Sequence, residues 1–359
     1  MKIAQIAPLY ESVPPKFYGG TERVVYYLTE ELVRQGHEVT LFASGDSVTK
    51  GKLIPSWQRS LRLSKDIVDH IIPHILQMEK VFQRSAEFDV IHSHMDYLTF
   101  PLMRMYPKVP AVTTLHGRLD MKEVIALYRE FSDIPLISIS DAQREHISWA
   151  NWRGTVYHGL PPDLYTYRGE AGKYLAFIGR FSPEKRADVA IEIAVRAGMP
   201  LKIAAKVDKD DVAYFESVIK PLLKHPLVEY IGEIGEKEKD EFLGCAHALL
   251  FPINWPEPFG LVMIEAMACG TPVIACANGS VPEVMEEGVT GFIIGNTAEA
   301  VEALKKVSAL SRKRCRQVFE ERFTVERMAS DYVKIYRELI EEKTKRINLL
   351  GSRVIQKKR

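Results

Sequence analysis

Two carboxylates and two cations in the second half of the chain have the types and spacing to hold an anionic, hydroxyl-rich ligand. The stretch WPEPFGLVMIEAMACGTPVIA, residues 255–275, is apolar almost throughout from Phe259, yet Glu265 lies inside it and Glu257 just ahead of it. Its pattern predicts a helix from Phe259 or Gly260 to a stop at Gly270, followed by the strand PVIACA. A helix that is apolar nearly all round is buried. Its first turn leaves backbone N–H groups without partners, and Gly260 lets a ligand approach the backbone closely, so phosphate can dock there. Glu265 has two readings. It can suit the helix dipole and reach solvent or a lysine, or it can accept from two adjacent hydroxyls such as a ribose diol. Glu257 falls on the other side of the same phosphate position and can accept from a second polyol. A nucleotide sugar satisfies both carboxylates.

The cations come from GRFSPEKR, residues 179–186, which reads as a strand end followed by a helix start, with Ser182 as N-cap and Pro183 in the first helical position. Arg180 and Lys185 flank that start and can neutralise an anion held there; two cations at this spacing also occur without a ligand. In the first half, Gly19 and Gly20 open a helix and can aim N–H groups at an anion, though a plain turn explains them as well. No GxGxxG follows the first strand, so the nicotinamide-nucleotide fingerprint is absent. DKDD, residues 208–211, reads as a helix start with solvated acids. His92 and His94 share one face of a strand end, where packing or contact near an acceptor is preferred to metal binding. The cysteines 245, 269, 276 and 315 show no CxxC pair and read as small core residues.

These residues need elements to position them. Strand-like KIAQIA, EVTLFA, DVIHSH, AVTTLH, LISIS and TVYH alternate with helical material such as TERVVYYLTEELVRQG, where Thr21 is the expected N-cap. After a Gly-, Pro- and Tyr-rich linker at 158–172 the alternation restarts with YLAFIG, LKIAAKV, VEYIG, ALLFPI and PVIACA. Short apolar strands separated by helices argue for parallel sheets covered on both faces, which bind ligands beyond the carboxyl ends of their strands. At 359 residues the chain is long enough for two domains, and two facing halves define a cleft. With 48 basic against 47 acidic residues, nothing in the charge balance suggests a nucleic-acid partner. No secretory signal or membrane-spanning run is evident, so a cytoplasmic protein is expected. After Glu342 come seven Lys or Arg and no acid, either a solvated helix end or a segment for peripheral contact with an anionic membrane surface.

Glu257 and Glu265 form an E-x7-E block within PEPFGLVMIEAMACGTPVIA that resembles the signature of retaining glycosyltransferase family 4. The Gly19-Gly20 loop, TLHG at 114–117, SISDAQR at 138–144, GR at 179–180 with Lys185, and VPEVMEEGVTGFII follow in the family's order. The opening PLYESVPPKFYGGTERVV is similar to a subgroup that includes avilamycin-pathway enzymes. The resemblance implies an α/β protein of GT-B fold, two Rossmann-like doubly wound domains facing a central cleft. Residues 1–165 would form the acceptor-side domain, with the end of the last helix, 338–359, docking back onto it, and residues 166–337 the nucleotide-sugar domain.

The same resemblance implies a hexosyltransferase that acts with retention on a nucleotide diphosphate sugar, UDP-glucose being favoured over GDP-mannose, and an unidentified hydroxyl acceptor: a small molecule, a polysaccharide or a lipid-linked one. Neither cofactor nor metal is expected. Gly19, Gly20, Arg180 and Lys185 would meet the diphosphate, Glu257 the sugar hydroxyls, and the backbone of Phe259, Gly260, Leu261 and Val262 the sugar and phosphate. Glu265 would hold the ribose, and His116 would lie beside the donor sugar. Lys206 replaces a flexible glycine-rich turn and His158-Gly159 replaces the usual Asn-Gly. Acceptor contacts are expected from loops 12–17, 95–100 and 117–123. A nucleotide-sugar epimerase and a noncatalytic nucleotide-sugar-binding protein are the alternatives.

Overall fold

The computed structural model of the chain describes every residue except 17–18, 65–66 and 357–359, and the backbone alone at 63, 347 and 349–356. Phe17 of the expected acceptor loop, and Lys357, Lys358 and Arg359 of the basic tail, therefore lie outside the described residues. The chain divides into two compact units: Met1–Ile139 with Arg144–Tyr157 and Val325–Arg359, and His158–Thr324 with Ser140–Gln143. The main divisions thus fall at 157/158 and 324/325, against the 165/166 and 337/338 that the family resemblance implies.

The first unit is built on a seven-stranded sheet in the order β3-β2-β1-β4-β5-β6-β7. Its strands are β1 (Lys2–Ile6), β2 (Glu38–Ser44), β3 (Lys52–Trp57), β4 (Val90–Ser93), β5 (Ala111–Thr114), β6 (Leu136–Ser138) and β7 (Trp152–Thr155). All pairings are parallel, and Ile3, Ala4, Ile6, Leu41, Phe42 and Val90 in the central strands are fully buried. A parallel sheet needs helices on both faces. The Gly20–Arg34 helix and the 32-residue C-terminal helix Val325–Gln356 are among those that cover it. The C-terminal helix sends Tyr332 and Tyr336, both fully buried, into hydrogen bonds with side chains of β1, β4 and β5.

The second unit has a six-stranded parallel sheet in the order β10-β9-β8-β11-β12-β13. Its strands are β8 (Leu175–Arg180), β9 (Leu201–Lys206), β10 (Val228–Gly232), β11 (Ala248–Phe251), β12 (Val273–Cys276) and β13 (Gly291–Ile294). In each sheet the strand order reverses between two neighbours, β1 and β4 in one and β8 and β11 in the other. The loops leaving those strands diverge and leave room for a ligand at their carboxyl ends.

Several local expectations are corrected. β3 and β13 carry weak signals: β3 is an edge strand holding Pro55, tolerated where no ladder N–H is needed, and β13 begins at Gly291 with φ 153°. The expected strand TVYH lies instead at Trp152–Thr155, because Asn151 already accepts from the Leu136 amide. The first long helix begins at Gly20 with Gly19, not Thr21, as its N-cap. No helix starts at Ser182. The Ser182 carbonyl accepts from the amides of Lys185 and Arg186 to close a turn, and Arg186 is left-handed at φ 54°, so the helix waits until Ala187–Ala197.

In the second unit Arg312, 7% exposed, ties three segments together. Its guanidinium donates to the carbonyls of Arg168, Gly244 and Ala246 and to Thr271 Oγ1, just past the end of the Leu261–Cys269 helix. Replacing it strands buried acceptors. Arg312→Met should lower unfolding free energy by about 2–4 kcal/mol, read from the urea midpoint, with Arg312→Lys recovering part of the loss.

Candidate functional site

β8 ends at Arg180 and its loop carries Lys185; β11 ends at Phe251 and its loop carries Trp255, Glu257 and Gly260. These are the adjacent strands at which the order reverses. Glu257 is 8% exposed, and its Oε2 accepts from Lys185 Nζ at 2.5 Å and Trp255 Nε1 at 2.9 Å. Lys185 Nζ also lies 4.9 Å from the Trp255 ring centroid and 5.5 Å from that of Phe251, so its charge meets two aromatic faces and one carboxylate. The Glu257 backbone is fixed from behind, its carbonyl accepting from the Ser280 amide at 2.9 Å. Gly279 sits there at φ 56°, and a Cβ on it would fall 2.3 Å from the Glu257 carbonyl oxygen.

Gly260 is the left-handed N-cap of the Leu261–Cys269 helix, at φ 76°, and a Cβ there would fall 2.7 Å from Met263 Cε. The left-handed conformation calls for glycine, and a side chain there would also have to displace the tip of Met263. The helix then stops at left-handed Gly270, and its residues 263–269 are buried. Phe259, buried ahead of it, meets the His158 ring at 4.7 Å and accepts through its carbonyl from Ser280 Oγ at 2.9 Å. Glu265 is 3% exposed and accepts from Lys239 Nζ at 2.8 Å, the lysine standing on the Glu236–Gly244 helix. Of the two sequence readings of Glu265, the lysine partner is present.

Arg180 lies 3.2 Å from Asp211 Oδ2 and 3.6 Å from Asp208 Oδ2, and Lys206 pairs with Asp208 at 2.8 Å. Asp208 and Asp211 of DKDD are thus partners of the cations, while Asp210 between them is exposed, as expected. Lys209–Asp211 does form a helical turn. The structure joins Lys185 directly to Glu257, and Arg180 to Lys206 through Asp208. Lys239, Trp255 and Gly279 were not singled out from sequence, and Asp211 reads there only as a solvated acid of DKDD. Trp255 adjoins Glu257 within the quoted block, whereas the others meet their partners only through the fold.

In the first unit Gly19, at φ 152°, leads into Gly20 at the helix start, and a Cβ on Gly19 would lie 2.8 Å from Pro15 Cβ. His116, half-buried beyond β5, has Nε2 at 2.9 Å from His94 Nδ1, and its amide donates to Asp96 Oδ1 at 3.4 Å. Burial pushes His116 down to about 3 and Asp96 up to about 6. His92 and His94 are 0% and 1% exposed with ring centroids 4.1 Å apart, in keeping with the packing reading. Among the described residues no group of three His, Cys, Asp or Glu is placed to hold a metal ion, and no helix is long and apolar enough to cross a membrane.

Residues 18–175 match the family described as Glycosyltransferase Family 4, and residues 168–322 that described as Glycosyl transferases group 1. The chain belongs to glycosyltransferase family 4. This family-4 chain is 25% identical to the N-acetyl-alpha-D-glucosaminyl L-malate synthase of Bacillus anthracis, over 90% of its own length and 95% of the relative's. Its fold is that of the GT-B glycosyltransferases. A glycosyltransferase involved in avilamycin A biosynthesis superposes with a TM-score of 0.72 at 24% identity, covering 95% of this chain and 98% of that one. HepE of Anabaena, solved in complex with UDP and glucose, superposes with a TM-score of 0.73 at 18% identity, covering 94% of this chain and 100% of that one.

The entrance to the Gly19-Gly20 helix holds a further buried acid. Glu22 accepts from the Glu11 amide at 3.3 Å while Glu11 pairs with Arg62 at 2.5 Å. Burial raises Glu22 to about 7, against an ordinary 4.5. The fold therefore favours the neutral carboxyl. That contribution is whole below pH 4.5 and is lost as pH rises through about 7. Glu22→Gln should remove this loss, worth about 3 kcal/mol, so that urea midpoints of wild type and variant agree at acid pH and the variant is the more stable at alkaline pH.

Proposed function

We propose that this glycosyltransferase moves a hexosyl group from a nucleotide diphosphate sugar to a hydroxyl acceptor with retention of anomeric configuration and without a metal ion. The observation that carries the reading is one helix start, at Gly260, with Glu257 before it, Glu265 within it and the Lys185 ammonium on Glu257. In this reading Arg180, Lys185 and Lys206 are assigned to the diphosphate, as are the amides at Gly19 and Gly20. Glu257 accepts from sugar hydroxyls, the backbone of Phe259 to Val262 contacts sugar and phosphate, and Glu265 accepts from the ribose. His116 is assigned to the donor sugar. UDP-glucose is preferred over GDP-mannose, supported by the UDP and glucose held by HepE. The positive charge of the segment after Glu342 supports contact with an anionic membrane surface, and the acceptor classes stay as the sequence leaves them.

In the reaction, the bond from the anomeric carbon to the diphosphate oxygen breaks with its electron pair staying on that oxygen, a bond to the acceptor oxygen forms, and the acceptor proton passes to the released diphosphate. Negative charge gathers on the leaving diphosphate and positive charge on the sugar ring. Fixed cations and helix amides stabilise the diphosphate, and carboxylate hydrogen bonds fix the sugar. Lys185 has to exchange part of its contact with Glu257 for phosphate, an anion-for-anion replacement that keeps the ammonium compensated.

Donor hydrolysis and transfer measured across UDP-, GDP- and ADP-sugars test the reading. UDP-glucose should give the highest rate and the rate should survive a chelator. Turnover that requires added metal, or a sugar epimerised without acceptor, would count against it. Glu257→Ala should lower kcat roughly 100-fold or more with little change in UDP affinity. Glu265→Ala should weaken UDP binding roughly tenfold or more. Equal effects of the two on affinity and kcat would contradict the assigned roles.

A further inference from the structure

The first unit holds a continuous line of polar side chains that ends at His116 and whose other members the proposed reaction does not use. Gln5 on β1 stands opposite His92 on β4 in register, and the period of two puts His94 on the same face. Gln5, His92, Thr114, Tyr332 and Tyr336 are fully buried and His94 is 1% exposed. Thr114 Oγ1 donates to Tyr332 OH at 3.1 Å, and His92 Nε2 lies 2.7 Å from Thr114 Oγ1. His92 Nδ1 lies 2.6 Å from Tyr336 OH, which accepts from Gln5 Nε2 at 3.2 Å. The other end of the Gln5 amide, Oε1, lies 2.8 Å from His94 Nε2, and His94 Nδ1 lies 2.9 Å from His116 Nε2.

The amide has a direction, and it propagates. An oxygen facing His94 Nε2 requires that nitrogen to carry the proton. A neutral imidazole that donates through Nε2 accepts through Nδ1, so His116 Nε2 must donate to it. We propose that Gln5 and His94 are positioning residues that hold His116 as a neutral ring protonated on Nε2. Burial keeps His92 well below the ordinary imidazole value and His116 at about 3, so neither of these two rings takes a second proton near neutral pH. A ring of fixed tautomer offers one polarity to a ligand hydroxyl, as a histidine oriented by its other nitrogen does elsewhere. The opposite polarity needs Gln5 turned over and puts the proton on His116 Nδ1.

Two-bond proton–nitrogen correlation spectra of histidine-labelled full-length protein distinguish these states. The wild type should show His116 protonated on Nε2 at neutral pH, Gln5→Met should show mixed tautomers, and Gln5→Glu, which still accepts from His94, should keep the wild-type pattern. An Nδ1-protonated His116 in the wild type overturns the proposal, and this spectrum needs no variant to fold. A Gln5→Met spectrum identical to wild type also overturns it. The tautomer stands on the first unit alone, whereas its effect on rate rests on the transferase reading. With UDP affinity unchanged by calorimetry, Gln5→Met should lower kcat about tenfold and Gln5→Glu should restore it. Mixed tautomers with unchanged kcat would remove the positioning role. A wild type inactive on every donor would sink the transferase reading and leave the tautomer assignment standing.

Discussion

A charge taken out of water has to be met by an opposite charge or by several hydrogen bonds, and removing one partner of a buried pair costs about 3–5 kcal/mol. The second unit is arranged around that constraint. Lys185 rests on Glu257, Lys239 on Glu265, and Arg312 on carbonyls of Arg168, Gly244 and Ala246. A ligand that enters has to offer equivalent compensation. It needs anionic oxygens for the cations and hydroxyl donors for the carboxylates, and a sugar joined to a nucleoside through a diphosphate carries both on one molecule. The same pairs keep the side chains in place before a ligand arrives, so little rearrangement entropy opposes binding.

The sheet order turns four loops into carriers of chemistry. Because β1 neighbours β4 and β8 neighbours β11, the loops beyond these strands are the ones that the topology leaves apart from their helices. Glycine then permits what side chains would block. Gly260 gives the helix its left-handed start, and Gly279 lets one loop press on the Glu257 backbone. The carboxylate position is thus set by backbone contact on one side and by lysine and tryptophan on the other.

Much of this was legible in the residues. The Leu261–Cys269 helix, with glycines at both ends, matches its apolar run because terminators and burial pattern agree. The alternation of strands and helices carries the two-sheet architecture because parallel strands buried on both faces are continuous apolar runs. What stayed hidden depends on proximity through the fold. Lys239 looks like any lysine in EKEKDEF, and nothing local says that it meets Glu265. Asp211 reads as a solvated acid until β8 and β9 bring Arg180 beside it. The misplaced helix start at Ser182 has a local cause, since Ser-Pro fits a first turn and the left-handed Arg186 has no sequence signal.

The first unit is assembled from both ends of the sequence, Met1–Ile139 and Arg144–Tyr157 with the Val325 helix, while nearly all of the second unit lies between them. Tyr332 and Tyr336 complete the polar interior around His92 and Thr114. On the ribosome, the later-encoded unit can therefore finish first. The earlier one waits with imidazoles and a threonine facing water until the last helix emerges, inverting the usual amino-to-carboxyl order of domain completion.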